Sequence, residues 1–313
     1  MPLPLRYQSK PWSPHHITSQ CFQRRCFMLP TPNVVAATSG VLAYCINQYK
    51  GKVELHFAVF MSNHFHLIAS AEHIESLANF MRDLKSNLTR ELNRIHRWKG
   101  TIWSGRYFSE ELLDERSLIE MIKYLTKNSV KEGLVDHPSQ WPGIHSYHQL
   151  VEGRHISAPW IDRVELNKRR GDAKDTEQCT TYYALTLTPP RIWRSLSSQL
   201  LVRLYKMIMR DAIDEALRKR GTAKPLGEIK LLERNPISPP PFDALEGNIH
   251  RLTEPRFKSS CSHLSDEYRQ GYFTFKSLFQ SASYELRRAL KLGWSEVNLR
   301  FPPHGIPLFG GGG

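Results

Sequence analysis

The sequence predicts an α+β fold in which helices cover an antiparallel sheet, followed by a mostly helical C-terminal extension. Apolar residues alternate with a period of two in short runs and of three to four in longer runs. In the N-terminal half these runs follow the order β-α-β-β-α-β-α. This order is typical of a sandwich with one antiparallel sheet and helices on one side of it.

The first four elements follow from local patterns. His16 to Cys21 is β-compatible, and residues 33–49 have apolar spacing that predicts a helix, which a Lys-Gly-Lys turn stops. Residues 53–61 form a β-rich run, and a second apolar run occupies residues 64–69. Because only Ser62-Asn63 separates these two runs, we predict a tight hairpin.

Three further elements complete the predicted sandwich. Residues 74–98 place apolar side chains at steps of three or four, which predicts a long amphipathic helix with a basic outer face. Residues 106–113 are expected to form a strand. Asp114 followed by Glu115 is typical of a helix start, and we expect this helix to run to about Asn128.

Beyond these elements the composition changes. Residues 136–160 are interrupted by prolines and glycines, as at a domain boundary. We therefore expect an α+β domain in residues 1–155, a mostly helical accessory domain in 156–309 and a flexible glycine tail in 310–313. Two long helices are predicted in the extension, over residues 196–220 and 265–292.

Charge and composition restrict the class of protein. Lys and Arg number 43 against 30 Asp and Glu, a net charge of +13, so nucleic acid is the expected partner and a merely solvated surface the alternative. No stretch reaches the ~20 apolar residues that span a bilayer, and the N-terminus lacks a signal-peptide core. The five cysteines contain no CxxC pair. We expect a cytoplasmic protein without membrane partners.

His64-Phe65-His66 is a candidate metal-binding motif. Side chains alternate along a strand, so both imidazoles face one side of the sheet and Phe65 faces the other. Two histidines on one face each need a partner for a ring nitrogen, and a metal ion is one such partner. The alternative is a pair of structural histidines with hydrogen-bonding neighbours.

Tyr124 and Asn128 are a second candidate pair. Residues four apart lie on one face of a helix, so a hydroxyl nucleophile and an oxygen ligand could act together. The alternative is an unrelated surface tyrosine and a helix-ending asparagine. Together, the two pairs are stronger evidence for an active site than either pair alone, because a nucleophile and a metal ion must act in the same site.

Three ordered motifs carry a family resemblance. Residues 61–68 read Met-Ser-Asn-His-Phe-His-Leu-Ile, residues 100–108 read Gly-Thr-Ile-Trp-Ser-Gly-Arg-Tyr-Phe, and residues 124–135 read Tyr-Leu-Thr-Lys-Asn-Ser-Val-Lys-Glu-Gly-Leu-Val. Together they resemble the REP-associated tyrosine transposases and the insertion-sequence transposases of the single-tyrosine HUH endonucleases. Ser62 and Ser129 stand where those families usually have proline, without loss of a functional group.

The resemblance covers roughly residues 14–150 and implies a ferredoxin-like catalytic fold. It implies Tyr124 as nucleophile, His64 and His66 as metal ligands, and Asn128 as third ligand. The implied reaction nicks single-stranded DNA at hairpin-bearing repeats through a 5′-phosphotyrosine and then rejoins it. Two nitrogens with phosphate oxygens suit Mn²⁺ and tolerate Mg²⁺, so one of these ions is the expected cofactor.

Basic residues on two predicted helices and in one motif are candidate DNA contacts, with a solvated face as the alternative for each. They are Arg82, Lys85, Arg90, Arg94, Arg97 and Arg106 in the catalytic part, and Arg194, Arg203, Lys206 and Arg210 along one helix of the extension. Trp103 and Phe108 could stack on bases or pack in the core. Among other tyrosines, Tyr107 and Tyr147 compete less well for the role of nucleophile.

Two other functions are compatible with these residues. One is a non-catalytic DNA- or RNA-binding regulator derived from such a transposase. The other is a metal hydrolase that activates water and forms no covalent adduct. The recognised hairpin, the preferred metal and the oligomeric state are not determined by the sequence, nor is whether the protein mobilises its own element.

Overall fold

The computed structural model describes residues 5–169, 176–240 and 256–292. Its N-terminal elements are β1 (His15–Gln20), α1 (Pro32–Gln48), β2 (Val53–Phe60), β3 (His64–Ala71), α2 (Ile74–His96), β4 (Phe108–Leu112) and α3 (Glu115–Thr126). The others are α4 (Asn128–Lys131), α5 (Tyr147–Val151), β5 (Ser157–Ile161), α6 (Arg163–Lys168), β6 (Thr180–Ala184), α7 (Ser198–Arg220), α8 (Glu228–Leu232), β7 (Arg256–Lys258) and α9 (Ser262–Lys291). In the described ranges no helix has both the length and the apolar character needed to cross a bilayer. The predicted glycine tail lies outside these ranges.

The main sheet has the strand order β2-β3-β1-β4-β7. Its first four strands pair antiparallel, and their order together with the two crossover helices is the ferredoxin-like arrangement that the resemblance implied. The predicted α+β class and the β-α-β-β-α-β-α order are confirmed. The fifth strand was not predicted: β7 comes from the extension and pairs parallel to β4.

Helices cover both faces of the sheet, which corrects the prediction of a single covered side. One face, with Phe65 and Leu67, packs in the same core cluster as α1 and α2. We call it the α1–α2 face. The other, with Ile68 and the side chains of His64 and His66, packs with residues of α3 and α7, and we call it the α3 face. The second layer is α3, which packs against this face, and α7 of the extension packs on α3 in turn.

The predicted helix from Glu115 to Asn128 is interrupted. α3 ends at Thr126, Lys127 has φ −82° and ψ 0°, and a separate turn, α4, begins at Asn128. The Lys127 amide donates to the carbonyls of Lys123 and Leu125, so it closes the last turn of α3. Threonine and asparagine are weak helix formers, and their position at this break is consistent with it.

The described part of the extension is mostly helical, as expected, and it shares the cores of the N-terminal part. Ala158 belongs to the cluster of the α1–α2 face, whereas Trp193 and Tyr205 belong to that of the α3 face. The hairpin of β5 and β6 crosses α1 at Gly40, where a Cβ atom would lie 1.8 Å from the carbonyl oxygen of Pro159. The division of the chain at residue 155 stays a prediction.

Trp193 provides a test of this shared core. Its ring is 2% exposed, packs on Tyr205 and donates its indole N–H to Glu115 at 2.7 Å. We expect Trp193→Ala to lower the free energy of unfolding by about 3–5 kcal/mol, measured by urea denaturation, because it leaves a cavity beneath α3. The neighbouring Ile192→Ala, at a side chain 56% exposed, should cost about 0.5 kcal/mol or less. Equal effects of the two changes would contradict the shared core.

Candidate active site

The two histidines of the HxH motif lie at the start of β3. A tight turn at Ser62-Asn63 reverses the chain after β2, and the Met61 amide donates to the carbonyl of His64 at 2.8 Å. Strand alternation then directs both imidazoles to the α3 face, where their ring centroids lie 4.8 Å apart. His66 is only 6% exposed. The predicted placement of this pair is observed.

Tyr124 and Asn128 lie against these histidines. The Tyr124 ring meets the His66 ring edge to face, with centroids 5.9 Å apart. The amide nitrogen of Asn128 is 3.4 Å from Nε2 of His64, and half a turn of the amide would bring its oxygen to the same position. Asn128 is buried, whereas Tyr124 is 36% exposed. The structure therefore brings all four predicted residues together, with the candidate nucleophile open to solvent.

A buried chain of hydrogen bonds orients His66. Nδ1 of His16 donates to Oε1 of Glu110 at 2.8 Å, and in the tautomer with its proton on Nδ1 the other ring nitrogen, Nε2, is an acceptor. That atom lies 3.0 Å from Nδ1 of His66, which must then donate. The unprotonated Nε2 of His66 is buried and has no hydrogen-bond partner in the described part of the chain. Such a nitrogen is suited to bind a metal ion.

Sequence reasoning missed His16 and Glu110. Both lie in predicted strands, and the pattern showed that each strand exists. Their contact depends on the register of β1 between β3 and β4, where His16 pairs with both Ile68 and Glu110. A histidine inside a β-compatible run was the only available signal.

His64 is oriented in a similar way. Its Nδ1 donates to the side-chain oxygen of Asn63 at 2.7 Å, which leaves Nε2 unprotonated and directed toward Asn128. Burial, aided by the nearby Arg24, lowers the pKa of His64 to about 4. Burial and the neighbouring imidazoles hold the pKa of His66 well below its ordinary value. Both rings are therefore neutral at neutral pH, the state that metal coordination requires.

The electrostatic surroundings of Tyr124 oppose its ionisation. Burial first, and then the carboxylates of Glu132 and Glu110, raise the pKa of its hydroxyl above the ordinary value. A positive charge favours ionisation, and the ammonium of Lys131 lies 5.6 Å from the centre of the Tyr124 ring. The phenol is thus protonated unless further positive charge or a proton acceptor is brought to it.

The candidate ligand set consists of two imidazole nitrogens and one side-chain amide. Over residues 5–169, 176–240 and 256–292, no three His, Cys, Asp or Glu side chains are arranged to hold a metal ion. His16 does not join the set because its Nε2 faces His66. The unpaired Nε2 of His66 and the adjacent Nε2 of His64 fit a divalent ion that completes its coordination with oxygen ligands.

The five candidate DNA contacts of the long helix lie away from this site. α2 packs on the α1–α2 face, opposite the face that carries His64 and His66. Arg82 pairs with Asp83 and Arg94 with Glu91, and the ammonium of Lys85 donates to the carbonyl of Gly105 at 2.6 Å. Burial lowers the pKa of Lys85 to about 8. The two remaining members of this set, Arg90 and Arg97, are exposed.

Arg106 is half-buried, and burial lowers the pKa of its guanidinium. In the extension, Arg203, Lys206 and Arg210 lie on exposed positions of α7. Arg194 is not on that helix, which corrects the prediction of four cations along one helix: it precedes the Ser197 cap and pairs with Glu54 at 2.5 Å. The structure does not bring these residues to the HxH motif, and their role in DNA binding stays a prediction.

The competing aromatic residues also have defined positions. Tyr107 is 8% exposed and belongs to the core of the α1–α2 face, opposite the histidines. Tyr147 begins α5 and packs against His137 and His145. Trp103 packs edge to face on Phe65 and donates its indole N–H to Thr89, as its core interpretation predicts. Phe108, in contrast, lies partly exposed on the α3 face.

The sheet is ferredoxin-like, and its HxH pair faces Tyr124 on α3. These are the features that the resemblance to single-tyrosine HUH transposases implied. Residues 21–128 match the model of the family described as IS200-like transposases. The resemblance is confirmed, and these residues carry it.

The chain is also similar to individual proteins. A Haemophilus influenzae protein named as a REP-associated tyrosine transposase is 27% identical over 122 residues, which are 36% of this chain and 68% of that protein. A solved REP-associated tyrosine transposase bound to a REP hairpin is 19% identical and covers 47% of this chain and 82% of its own, with a TM-score of 0.37. A Deinococcus radiodurans protein named as a transposase is 18% identical over 36% of this chain and 87% of its own, with a TM-score of 0.28.

Proposed function

We propose that this protein is a metal-dependent single-strand DNA endonuclease and strand transferase in which Tyr124 is the nucleophile. The observation that carries the proposal is the contact between the exposed Tyr124 ring and the buried His66, beside His64 and Asn128. A regulator that had lost catalysis would have no need to keep these four side chains together. The substrate that we propose is single-stranded DNA that carries hairpins, in keeping with the resemblance to REP-associated transposases.

The proposed cofactor is Mg²⁺ or Mn²⁺, held by Nε2 of His64, Nε2 of His66 and the side-chain oxygen of Asn128. When bound, the ion polarises the scissile phosphate and compensates the negative charge that develops on it. All three protein ligands are neutral, so they leave the positive charge of the ion undiminished. The bonds between Asn63 and Nδ1 of His64 and between His16 and Nδ1 of His66 support this proposal, because they leave both Nε2 atoms available to bind the ion.

The reaction that we propose is an exchange of phosphodiester bonds. The Tyr124 oxygen gives up its proton and attacks the phosphorus, forming a bond to the 5′ phosphate while the bond to the 3′ oxygen breaks. The departing 3′ oxygen takes up a proton and becomes a hydroxyl. Lys131 stabilises the phenolate by its charge, because its ammonium faces the Tyr124 ring. Attack of another 3′ hydroxyl on the phosphotyrosine rejoins the strand without a nucleotide cofactor.

The test is a denaturing gel. Single-stranded hairpin DNA, labelled at its 3′ end in one reaction and at its 5′ end in another, is incubated with the full chain and Mn²⁺ and then denatured. We expect the 3′ label to migrate with the protein as a covalent adduct and the 5′ label to appear in a shorter, free strand. Cleavage without an adduct would indicate a metal hydrolase, whereas binding without cleavage would indicate a regulator; either outcome contradicts the proposal.

The chain from Glu110 through His16 leads to a prediction about metal affinity. We expect His16→Ala to weaken Mn²⁺ binding about 10–100-fold, because His66 loses the acceptor that fixes its protonation and ring orientation. Binding is measured by isothermal titration and by the Mn²⁺ electron paramagnetic resonance signal, with circular dichroism to verify folding. Glu110→Gln should retain most of the affinity, since an amide oxygen can still accept from His16.

His15→Ala is the matched control for His16→Ala. His15 is equally buried in the same strand, but its side chain faces the α1–α2 side and bonds to Ser109. If His15→Ala weakens Mn²⁺ binding as much as His16→Ala, the effect is one of general destabilisation and the positioning role of His16 is wrong.

A further inference from the structure

The strand β7 is hydrogen-bonded to β4 and to the start of α3, the helix that carries Tyr124. It pairs with β4, and the Leu113 amide donates to the carbonyl of Lys258 at 2.9 Å. Asp114, the residue that caps α3, accepts from the Ser259 hydroxyl at 2.7 Å and from the Ser260 amide at 2.6 Å. One carboxylate therefore fixes the start of the helix that carries Tyr124 and the end of β7.

The register places two cations of β7 on the α3 face. Arg256 lies beside Glu110, and Lys258 lies beside Leu112. Glu110 shares its face with His16 and thus with the His66 side of the sheet, because residues paired across strands point the same way. Both cations are exposed. The extension therefore adds a fifth strand to the sheet, and two positively charged side chains of this strand lie on the α3 face.

Phe108 lies on the α3 face between β7 and the strand that carries His66. It pairs with Thr18, which pairs with His66, so it lies two strands or about 10 Å across the sheet from His66. Its ring meets the His16 ring edge to face, with centroids 6.4 Å apart, and the Arg256 guanidinium lies 5.5 Å from the centre of the Phe108 ring. The ammonium of Lys258 lies 3.9 Å from Glu110, the carboxylate that orients His16.

We propose that Phe108, Arg256 and Lys258, here called the β4–β7 track, bind the DNA single strand next to the cleaved phosphate. A half-exposed aromatic ring beside cations is the combination with which proteins bind single strands: bases stack on the ring and phosphates contact the cations. The track continues the face on which the proposed scissile phosphate lies, so a strand leaving Tyr124 has a direct path onto it. This inference rests on the proposed function.

Two other roles fit a basic edge strand. Exposed cations on the last strand of a sheet discourage pairing with other chains, and in that role they would leave DNA binding untouched. An acidic peptide could also occupy the track. The single strand is favoured because the cations and the aromatic ring share one face with the candidate active site.

The experiment measures DNA affinity against salt in the full-length Tyr124→Phe background, by fluorescence anisotropy with a labelled single-stranded hairpin oligonucleotide. Each phosphate contact to a single strand contributes about 0.7 to the slope of log affinity against log salt, so Arg256→Ala/Lys258→Ala should reduce the slope by about 1.4. Phe108→Leu should weaken binding roughly fivefold or more with little change of slope, since it removes stacking and no charge.

Lys50→Ala/Lys52→Ala is the control. It removes the same charge from an exposed turn before β2, at the end of the hairpin opposite the histidines, and should leave the slope unchanged. If the two double variants give the same slope as the parent, the β4–β7 track is wrong. If poly-glutamate binds to the track and DNA does not, an acidic partner replaces the single strand. Adduct formation by the wild type is measured in parallel, so failure of the proposed function is recognised separately by absence of the adduct.

Discussion

Tyr124→Phe is expected to abolish the covalent protein–DNA adduct while single-stranded DNA still binds with normal affinity. The change removes the hydroxyl alone and keeps the ring that packs on His66. Loss of a nucleophile lowers the rate by about a thousandfold or more, so the adduct should fall below detection. The measurement is the denaturing gel with labelled hairpin DNA and Mn²⁺, together with anisotropy for binding.

Tyr147→Phe is the control for this change. It removes a tyrosine hydroxyl from a residue whose ring packs beside His137 and His145, outside the proposed site, so its adduct should equal that of the wild type. A denaturation-resistant adduct at the wild-type level in Tyr124→Phe would show that another residue is the nucleophile.

His66→Ala is expected to have the second-largest effect, loss of both Mn²⁺ binding and DNA cleavage. It removes the buried Nε2 that the described structure leaves without a partner. His64→Ala should act in the same way. We expect metal affinity to fall by about 100-fold or more, beyond the 10–100-fold typical of an outer-shell change, because a ligand itself is removed. Titration calorimetry measures the affinity, and the gel measures cleavage.

Chelation gives an independent test of the same site. Excess EDTA should stop cleavage by the wild type, and added Mn²⁺ or Mg²⁺ should restore it. The control variant His73→Ala removes an exposed histidine at the start of α2 and should change neither quantity. Undiminished cleavage in EDTA would rule out a metal site here.

Much of the candidate active site could be predicted because its residues lie within short segments. Strand alternation alone places His64 and His66 on one face, and a four-residue step places Asn128 one turn beyond Tyr124. Although the helix breaks at Lys127, the Tyr124 ring still meets His66 and the Asn128 side chain still lies beside His64. Local backbone geometry, which the sequence specifies, is sufficient for these relations.

The position of the candidate DNA contacts on α2 could not be predicted in this way. Amphipathic spacing identified correctly which side of the helix is polar. It contains no information about which face of the sheet the helix covers, and α2 covers the one opposite the histidines. The side is decided by the handedness of the crossover and by the packing of the whole core.

The sequence by itself determined the order of the elements in the N-terminal half, and that His64 shares a face with His66 and Tyr124 with Asn128. Only the tertiary structure decided that Glu110 and His16 support His66, and that β7 adds Arg256 to the same face. These contacts join strands far apart in the chain. Their register is set by the balance of packing and loop-closure free energies over the whole fold, which no local pattern encodes.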